Sequence, residues 1–297
     1  MKKNCLVLFL ATSFLACNNA KTDVKSIENV HSNVKYASGF KVFPFEAYTK
    51  IEVLNPWPNA DKTFIYILLK EGQQAPKNEL FDAVVHVPVK KIVVTSTTHI
   101  PALEALSVEN ALIGFPDTRY ISSKKTRKNI AEGQIKELGM NEAINTEILL
   151  DLQPDLVIGF SINSSNKTYE TIKNSGIPVV YNGDWVEETP LGKAEWIKFF
   201  APFFNKEAEA DSIFQSIETE YLSAKKIASV AVKRPTVFSG AMYKDVWYMP
   251  AGNSWAAQFL EDANTNYVWK ETIGTGSVSL NFENVLEKAS DADLWIG

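Results

Sequence analysis

Cysteine and histidine are scarce in this 297-residue chain, at two and three residues. A carrier of a bare zinc or manganese ion needs several His, Asp or Glu ligands converging on one point. With only His31, His86 and His99, and His31 in a polar N-terminal stretch, that class fits poorly. An excess of basic charge is lacking too. The formal net charge is −5, whereas a nucleic-acid binder needs a basic face for its phosphate contacts. No glycine interrupts Thr95 to Pro101, where a nucleotide-using enzyme of this pattern would place its phosphate loop. No G-x-S-x-G nucleophile elbow occurs either, which argues against a hydrolase. Long apolar runs are absent: nothing beyond the N-terminus reaches the 18 residues that a membrane-spanning helix needs. What is left has ordinary globular composition, 45% hydrophobic and 22% charged.

The most informative feature present is a repeat. Asn145-Thr146-Glu147-Ile148-Leu149-Leu150 leads into Pro154-Asp155-Leu156-Val157-Ile158-Gly159. Asn281-Phe282-Glu283-Asn284-Val285-Leu286 leads into Ala292-Asp293-Leu294-Trp295-Ile296-Gly297. Each copy opens with an Asn suited to accept from a free N–H at a helix start. Each then sets a Glu in the first turn, where the helix dipole favours a carboxylate. A short helix, an acidic turn and an apolar run ending in Gly follow, the last reading as a buried parallel strand. The echo predicts two lobes of one design with an equivalent glutamate on each.

The N-terminus indicates export. Lys2 and Lys3 precede an apolar stretch, Leu6 to Ala16, that is too short to cross a bilayer. Ala16-Cys17 resembles a bacterial lipoprotein signal, with Phe14 and Leu15 departing from the usual pattern. Residues 1–16 are therefore read as a signal peptide and 17–35 as a tether lipidated on Cys17. Cys5 lies in the removed part, so the mature chain forms no internal disulfide. The body is expected to touch the membrane through its lipid anchor only. It would face the periplasm, or the cell surface in a single-membrane organism.

Along the body, Lys50–Leu54 and Thr63–Leu68 flank the turn Pro56-Trp57-Pro58, predicting a hairpin within an N-terminal region, 36–90, packed on the first lobe. Strands are predicted at Lys91–Thr95, Ala111–Phe115, Leu156–Phe160 and Ile177–Tyr181, alternating with helices. That alternation makes a parallel sheet covered on both faces, lobe 1, over 91–204. One helical pattern then runs over 205–232, with Ala210, Ile213, Phe214, Ile217, Tyr221, Ala224 and Ile227 on a stripe. Arg234-Pro235 stops it, and lobe 2 occupies 233–297 with a Tyr/Trp hairpin around Asp245. The fold class is α/β: two Rossmann-like lobes with central parallel sheets, joined by one long helix, with a ligand cleft between them. After Gly159 the first copy of the repeat continues through another helix and strand; after Gly297 nothing follows, so lobe 2 is expected to be C-terminally truncated.

The pattern from Pro88 to Gly297 resembles the periplasmic binding proteins of ABC importers for iron–siderophores, haem and vitamin B12. The resemblance is carried by Lys91-Ile92-Val93-Val94, by Glu147 through Ile158, by Gly176-Ile177-Pro178-Val179-Val180 and by Asn281 to Ile296. It implies a substrate-binding lipoprotein that is not an enzyme and holds no cofactor, delivering its cargo to a membrane permease dimer. It also implies that Glu147 and Glu283 meet arginines of that permease, although each Glu also suits its own helix start.

Ligands of open α/β sheets bind beyond the carboxyl ends of the strands. That places Ser96, Thr97, Thr98 and His99, then Phe160 and Trp185, on the lobe-1 side of the cleft. Ser239 to Tyr243 and the segment Gly274 to Ser277 line the other side. His99 could ligate a metal centre or merely hydrogen-bond at the surface; Phe160 and Trp185 could stack on a macrocycle or pack in a core. The loop from Arg119 and Tyr120 to Lys128 carries five basic residues and no acid, a rim that would attract an anionic chelate unless it is simply solvated. Cobalamin binders of the resembled family carry tryptophans just before each repeat helix. Here Met140-Asn141 and Gly276-Ser277 stand there, favouring an iron chelate over a corrinoid. A cobalamin binder and a non-transport adhesion or scaffold module remain the alternatives.

Overall fold

The computed structural model describes residues 31–164 and 166–297. The signal peptide, Cys17 and the tether up to residue 30 lie outside the described residues. The chain is tied down from the first described turns onward, earlier than a tether ending at residue 35 would suggest. Ser32 Oγ accepts from the N–H groups of Val34 and Val42. The backbone N–H groups of Lys35, Tyr36 and Ala37 donate to the carboxylate of Glu195 at 2.6–3.0 Å. Glu195 is itself fully buried, so this clamp satisfies a charge that would otherwise be costly inside the protein.

Strands β1 (Phe40–Pro44), β2 (Tyr48–Val53), β3 (Phe64–Lys70) and β4 (Ala83–Val87) form one sheet in that order. The expected hairpin is β2–β3, antiparallel with Val53 opposite Phe64. It is the centre of a larger element, since β1 adds antiparallel and β4 parallel. The inward residues Phe40, Ile51, Tyr66, Leu68 and Val85 share one apolar core with Ile92, Val94 and Ile158 of the next sheet.

That sheet contains β5 (Ile92–Val94), β6 (Leu112–Phe115), β7 (Lys136–Glu137), β10 (Leu156–Gly159) and β11 (Val179–Tyr181), with β8 (Gly139–Met140) and β9 (Ala143–Ile144) forming a small hairpin between β7 and β10. All its pairings are parallel, in the order β11-β10-β5-β6-β7. The intervening helices are α1 (His99–Ala105), α2 (Lys124–Ala131), α3 (Thr146–Leu152) and α4 (Lys167–Asn174). Continuous β-branched and leucine runs make the central strands, and β10 is buried at every residue. Two helices follow, α5 (Pro190–Glu195) and α6 (Ile197–Phe200), and then a 3-10 turn, Ala201–Phe204. They supply Trp196, Phe199, Phe200 and Phe203, all nearly inaccessible, which pack against one another and Phe40 in tilted and edge-to-face contacts.

Helix α7 (Glu207–Ser229) is 23 residues, or about 34 Å at 1.5 Å per residue. Its apolar stripe is used only in part. Ala210 and Phe214 are buried, but Ile217 is 39% and Ile227 70% exposed, so the far half of the predicted stripe is not a core face. The second lobe has β12 (Thr236–Ser239) between β15 (Asn266–Tyr267) and β17 (Leu294–Ile296), all parallel. Beside it stands an antiparallel sheet of β13 (Ala241–Tyr243), β14 (Val246–Pro250) and β16 (Ser277–Leu280), whose β13–β14 turn is the expected Tyr/Trp hairpin. Helices α8 (Trp255–Asp262) and α9 (Phe282–Ala289) pack with Val237, Trp247, Met249, Tyr267 and Trp269 into a separate core.

Candidate functional site

The two copies of the repeat fold alike down to single hydrogen bonds. Asn145 Oδ1 accepts from Ile148 N at 3.1 Å, and Asn281 Oδ1 from Asn284 N at 2.8 Å. The acidic turn has a role as well. Asp155 Oδ2 accepts from the N–H groups of Lys90 and Lys91, which enter β5, at 2.8 Å each. Asp293 Oδ2 accepts from Thr236 N, the start of β12, at 2.8 Å. Each aspartate therefore binds its own strand to the entry of the strand beside it. The bond from Thr236, helped by Lys233, holds the Asp293 carboxyl below its ordinary pKa.

Glu147 and Glu283 occupy the first turns of α3 and α9, and both are exposed. Among the described residues neither makes an ion pair, and neither hydrogen-bonds back to its cap. Asn145 N is satisfied instead by Leu138 O at 2.8 Å. The helix dipole favours both carboxylates where they stand.

In lobe 1, successive strands run outward from β5 through β6 to β7 and then resume on its other side with β10 and β11. The chain thus reverses its winding between β5 and β10, and such a switch point leaves a crevice beyond the strand ends. Thr95 closes the floor of that crevice: its Oγ1 accepts from Phe160 N and lies 2.8 Å from the Tyr169 hydroxyl. Tyr169 approaches so closely that a Cβ on Gly159 would sit 2.8 Å from its ring. The glycine that ends the first repeat is therefore required by packing, a role the sequence alone did not reveal. Burial raises the Tyr169 phenol well above its ordinary pKa, so it stays protonated and fixes the floor.

On this floor stand Ser96, half-buried, and Thr97 and Thr98, exposed, with Ser96 Oγ and Thr98 Oγ1 2.8 Å apart. Phe160 and Trp185 are half-buried and meet edge to face with centroids 5.5 Å apart. A cavity of about 320 Å³ lies beside Phe160, lined by Asn141, Glu142, Ser161, Ile162, Asn166 and Lys167. His99 does not belong to this surface. It is fully buried against Phe200, with ring centroids 5.5 Å apart. Burial lowers its pKa against the opposing pull of Asp184 and Asn182, which keeps the imidazole neutral. Neither the ligating nor the surface role fits it.

The basic loop is largely neutralised. Arg119 pairs with Asp117, Lys125 with Glu109 and Lys128 with Glu132. Arg127 donates to the carbonyls of Thr118 and Ile121. Arg119 and Tyr120 are exposed and stacked on each other at 4.8 Å, but the positive field expected of five free cations is mostly cancelled.

On the second lobe, Ser239 ends β12, half-buried, and its carbonyl accepts from Trp247 Nε1 at 3.3 Å. Tyr243 is 67% exposed on β13. Among the described residues no hydrogen bond or ring contact joins either of them to lobe 1. The lobes touch elsewhere. Lys193 of α5 lies 5.4 Å from the ring centre of Trp255 on α8 while donating to Asp184 O at 2.9 Å. Thr275, from the glycine-rich segment, shares a cavity with Asn55, Trp57 and Glu188 of the first lobe's side. Neither Trp255 nor Lys193 carries a motif by which the sequence could have revealed it. No helix among the described residues is long and apolar enough to cross a membrane.

Two α/β lobes, bridged by one helix and facing each other across a crevice at the strand ends, define a two-lobed binding protein. The chain belongs to the periplasmic binding protein family, whose model matches residues 92–297. It is 29% identical to an uncharacterized lipoprotein of Methanocaldococcus jannaschii over 295 residues, covering 91% of this chain and 70% of that protein. Among solved structures it is similar to a periplasmic binding protein from Veillonella parvula, with a TM-score of 0.60 at 15% identity over 86% of this chain and 74% of the other. The periplasmic heme-binding protein HutB of Vibrio cholerae aligns with a TM-score of 0.56 at 16% identity, over 70% and 76% of the two chains. These structural likenesses show the fold.

Proposed function

We propose that this chain is the substrate-binding lipoprotein of an ABC importer, exported and anchored through a lipid on Cys17. It captures an iron complex, a ferric siderophore or haem, between its lobes and delivers it to a dimeric membrane permease. The observation that carries this reading is the matched pair Glu147 and Glu283: equivalent in the repeat, one per lobe, exposed and unpaired among the described residues. A two-fold partner needs two such points, and rigidly presented charges guide docking more than they add affinity. The crevice floor of Ser96, Thr97 and Thr98, with Phe160 and Trp185 beside it, supplies hydroxyls and aromatic faces for a chelate. The named ligand of the Vibrio cholerae relative, haem, belongs to the same chemical group.

The test has two arms. Titration of the lipid-free protein with haem, ferrioxamine B and cyanocobalamin, followed by melting temperature, ranks ligands by mass action. Uptake of the bound chelate is then compared between wild type and the Glu147→Ala/Glu283→Ala double variant. Loss of uptake with binding retained supports the reading, and unchanged uptake overturns it.

A further inference from the structure

We propose that the β2–β3 turn, Asn55 to Asn59, is a wall of the ligand crevice, and that Glu188, which lines the same cavity, selects a chelate whose exposed arm is cationic or uncharged and donates hydrogen bonds. The inference rests on the binding-protein reading above. The turn belongs to the N-terminal sheet, outside the family-matched residues 92–297.

The turn is built into the crevice edge and does not merely lie near it. Trp57 is 6% exposed and meets Phe64 and Tyr181 edge to face, with centroids 5.5 and 5.2 Å away. Trp185 Nε1 donates to Pro56 O at 3.2 Å, so a residue that follows β11 is held by the turn. Gly183, between them, has no room for a side chain: a Cβ there would sit 2.6 Å from Asn55 O and 2.8 Å from Pro56 Cα. The carboxyl end of β11 is thus shaped to receive this turn.

A cavity of about 200 Å³ lies against it, lined among others by Ser38, Asn55, Asn59, Glu188 and, from the second lobe, Thr275. A cavity bounded by both lobes belongs to the crevice. No lysine or arginine lines it. The Glu187 carboxylate is taken up by Ser38 N, Gly39 N and Trp196 Nε1 at 2.9–3.3 Å. Glu188 is exposed and makes no ion pair or hydrogen bond among the described residues. One free carboxylate among amides and hydroxyls attracts an ammonium, hydroxyl or amide N–H and repels a carboxylate. The basic loop, with most of its cations already paired, does little to reverse that preference.

The test compares three iron compounds by quenching of intrinsic tryptophan fluorescence. Ferrioxamine B has an ammonium arm, its N-acetyl derivative keeps the same trihydroxamate iron centre with a neutral arm, and haem presents two carboxylates. Wild type should bind ferrioxamine B about three- to five-fold more tightly than the acetylated form, the scale of an exposed ion pair. Glu188→Gln should remove that preference, and Glu188→Lys should reverse it, with melting temperatures unchanged because the side chain is exposed. Equal preference in wild type and both variants overturns the proposal, as does tightest binding of haem, and either result leaves the importer reading standing. If none of the three binds wild type, the proposed iron-chelate cargo fails and this proposal fails with it.

Discussion

The two copies of the repeat share a cap, a glutamate and an aspartate clasp, yet their strands live in different surroundings. In the first copy β10 lies between β5 and β11 and is wholly buried. In the second, β17 pairs among the described residues with β12, and Leu294, Trp295 and Ile296 are 47–60% exposed. The local pattern therefore specifies the cap, the turn and the strand, while burial is conferred by what the rest of the fold lays beside them. Helix α7 shows the same division, buried at Ala210 and Phe214 and largely uncovered at Ile227. The first lobe, with the N-terminal sheet and the aromatic run of α5 and α6 upon it, holds the deeper core.

The comparison is broken most severely in that aromatic run. Phe199→Ala should lower unfolding free energy by about 3–5 kcal/mol, measured by urea denaturation, because a large ring leaves a cavity that its buried neighbours cannot fill. Glu195→Gln follows at about 3 kcal/mol, since the N–H groups of Lys35 to Ala37 and the ammonium of Lys198 lose a buried acceptor. Its specific signature is faster proteolysis ahead of Phe40; an unchanged cleavage pattern would show that the clamp is dispensable. Next comes Gly183→Ala, at about 1–3 kcal/mol for forcing a methyl against Asn55 and Pro56.

How much of this was legible in the sequence depends on how local each cause is. The strands Ile92–Val94 and Leu156–Gly159 were readable because continuous apolar runs between turn signals leave few alternatives. The caps at Asn145 and Asn281 were readable because Asx chemistry acts within three residues. His99 was misplaced because its burial is decided by Phe200, far along the chain, and the turn after β5 otherwise looks like surface. The basic loop was misjudged for a different reason: the acids that pair with it, Glu109, Asp117 and Glu132, flank the charged segment on either side and were not counted with it. Of the lobe contact, only Thr275 fell within a segment the sequence suggested. Trp255 and Lys193 belong to no local pattern.

The smallest predicted effect sharpens the comparison from the side of lobe 2. Tyr221 on α7 donates to Asp262 Oδ2 of α8 at 2.6 Å, with Lys225 and Gln258 on the other oxygen at 2.7 and 2.9 Å. Burial would raise the Asp262 pKa, but these three partners outweigh it and hold the carboxyl below its ordinary value of 3.8. A carboxylate whose folded pKa is depressed contributes stability above the ordinary value and loses it as pH falls through the folded one. Tyr221→Phe should therefore cost about 1 kcal/mol at pH 7, and the difference from wild type should shrink as pH drops below about 4. Because this bond joins the uncovered half of α7 to the second lobe, amide exchange in α8 should quicken while β5 and β10 keep their protection. Equal quickening in both lobes would mean that they unfold as one unit, and the contrast between them would then lie in burial and not in stability.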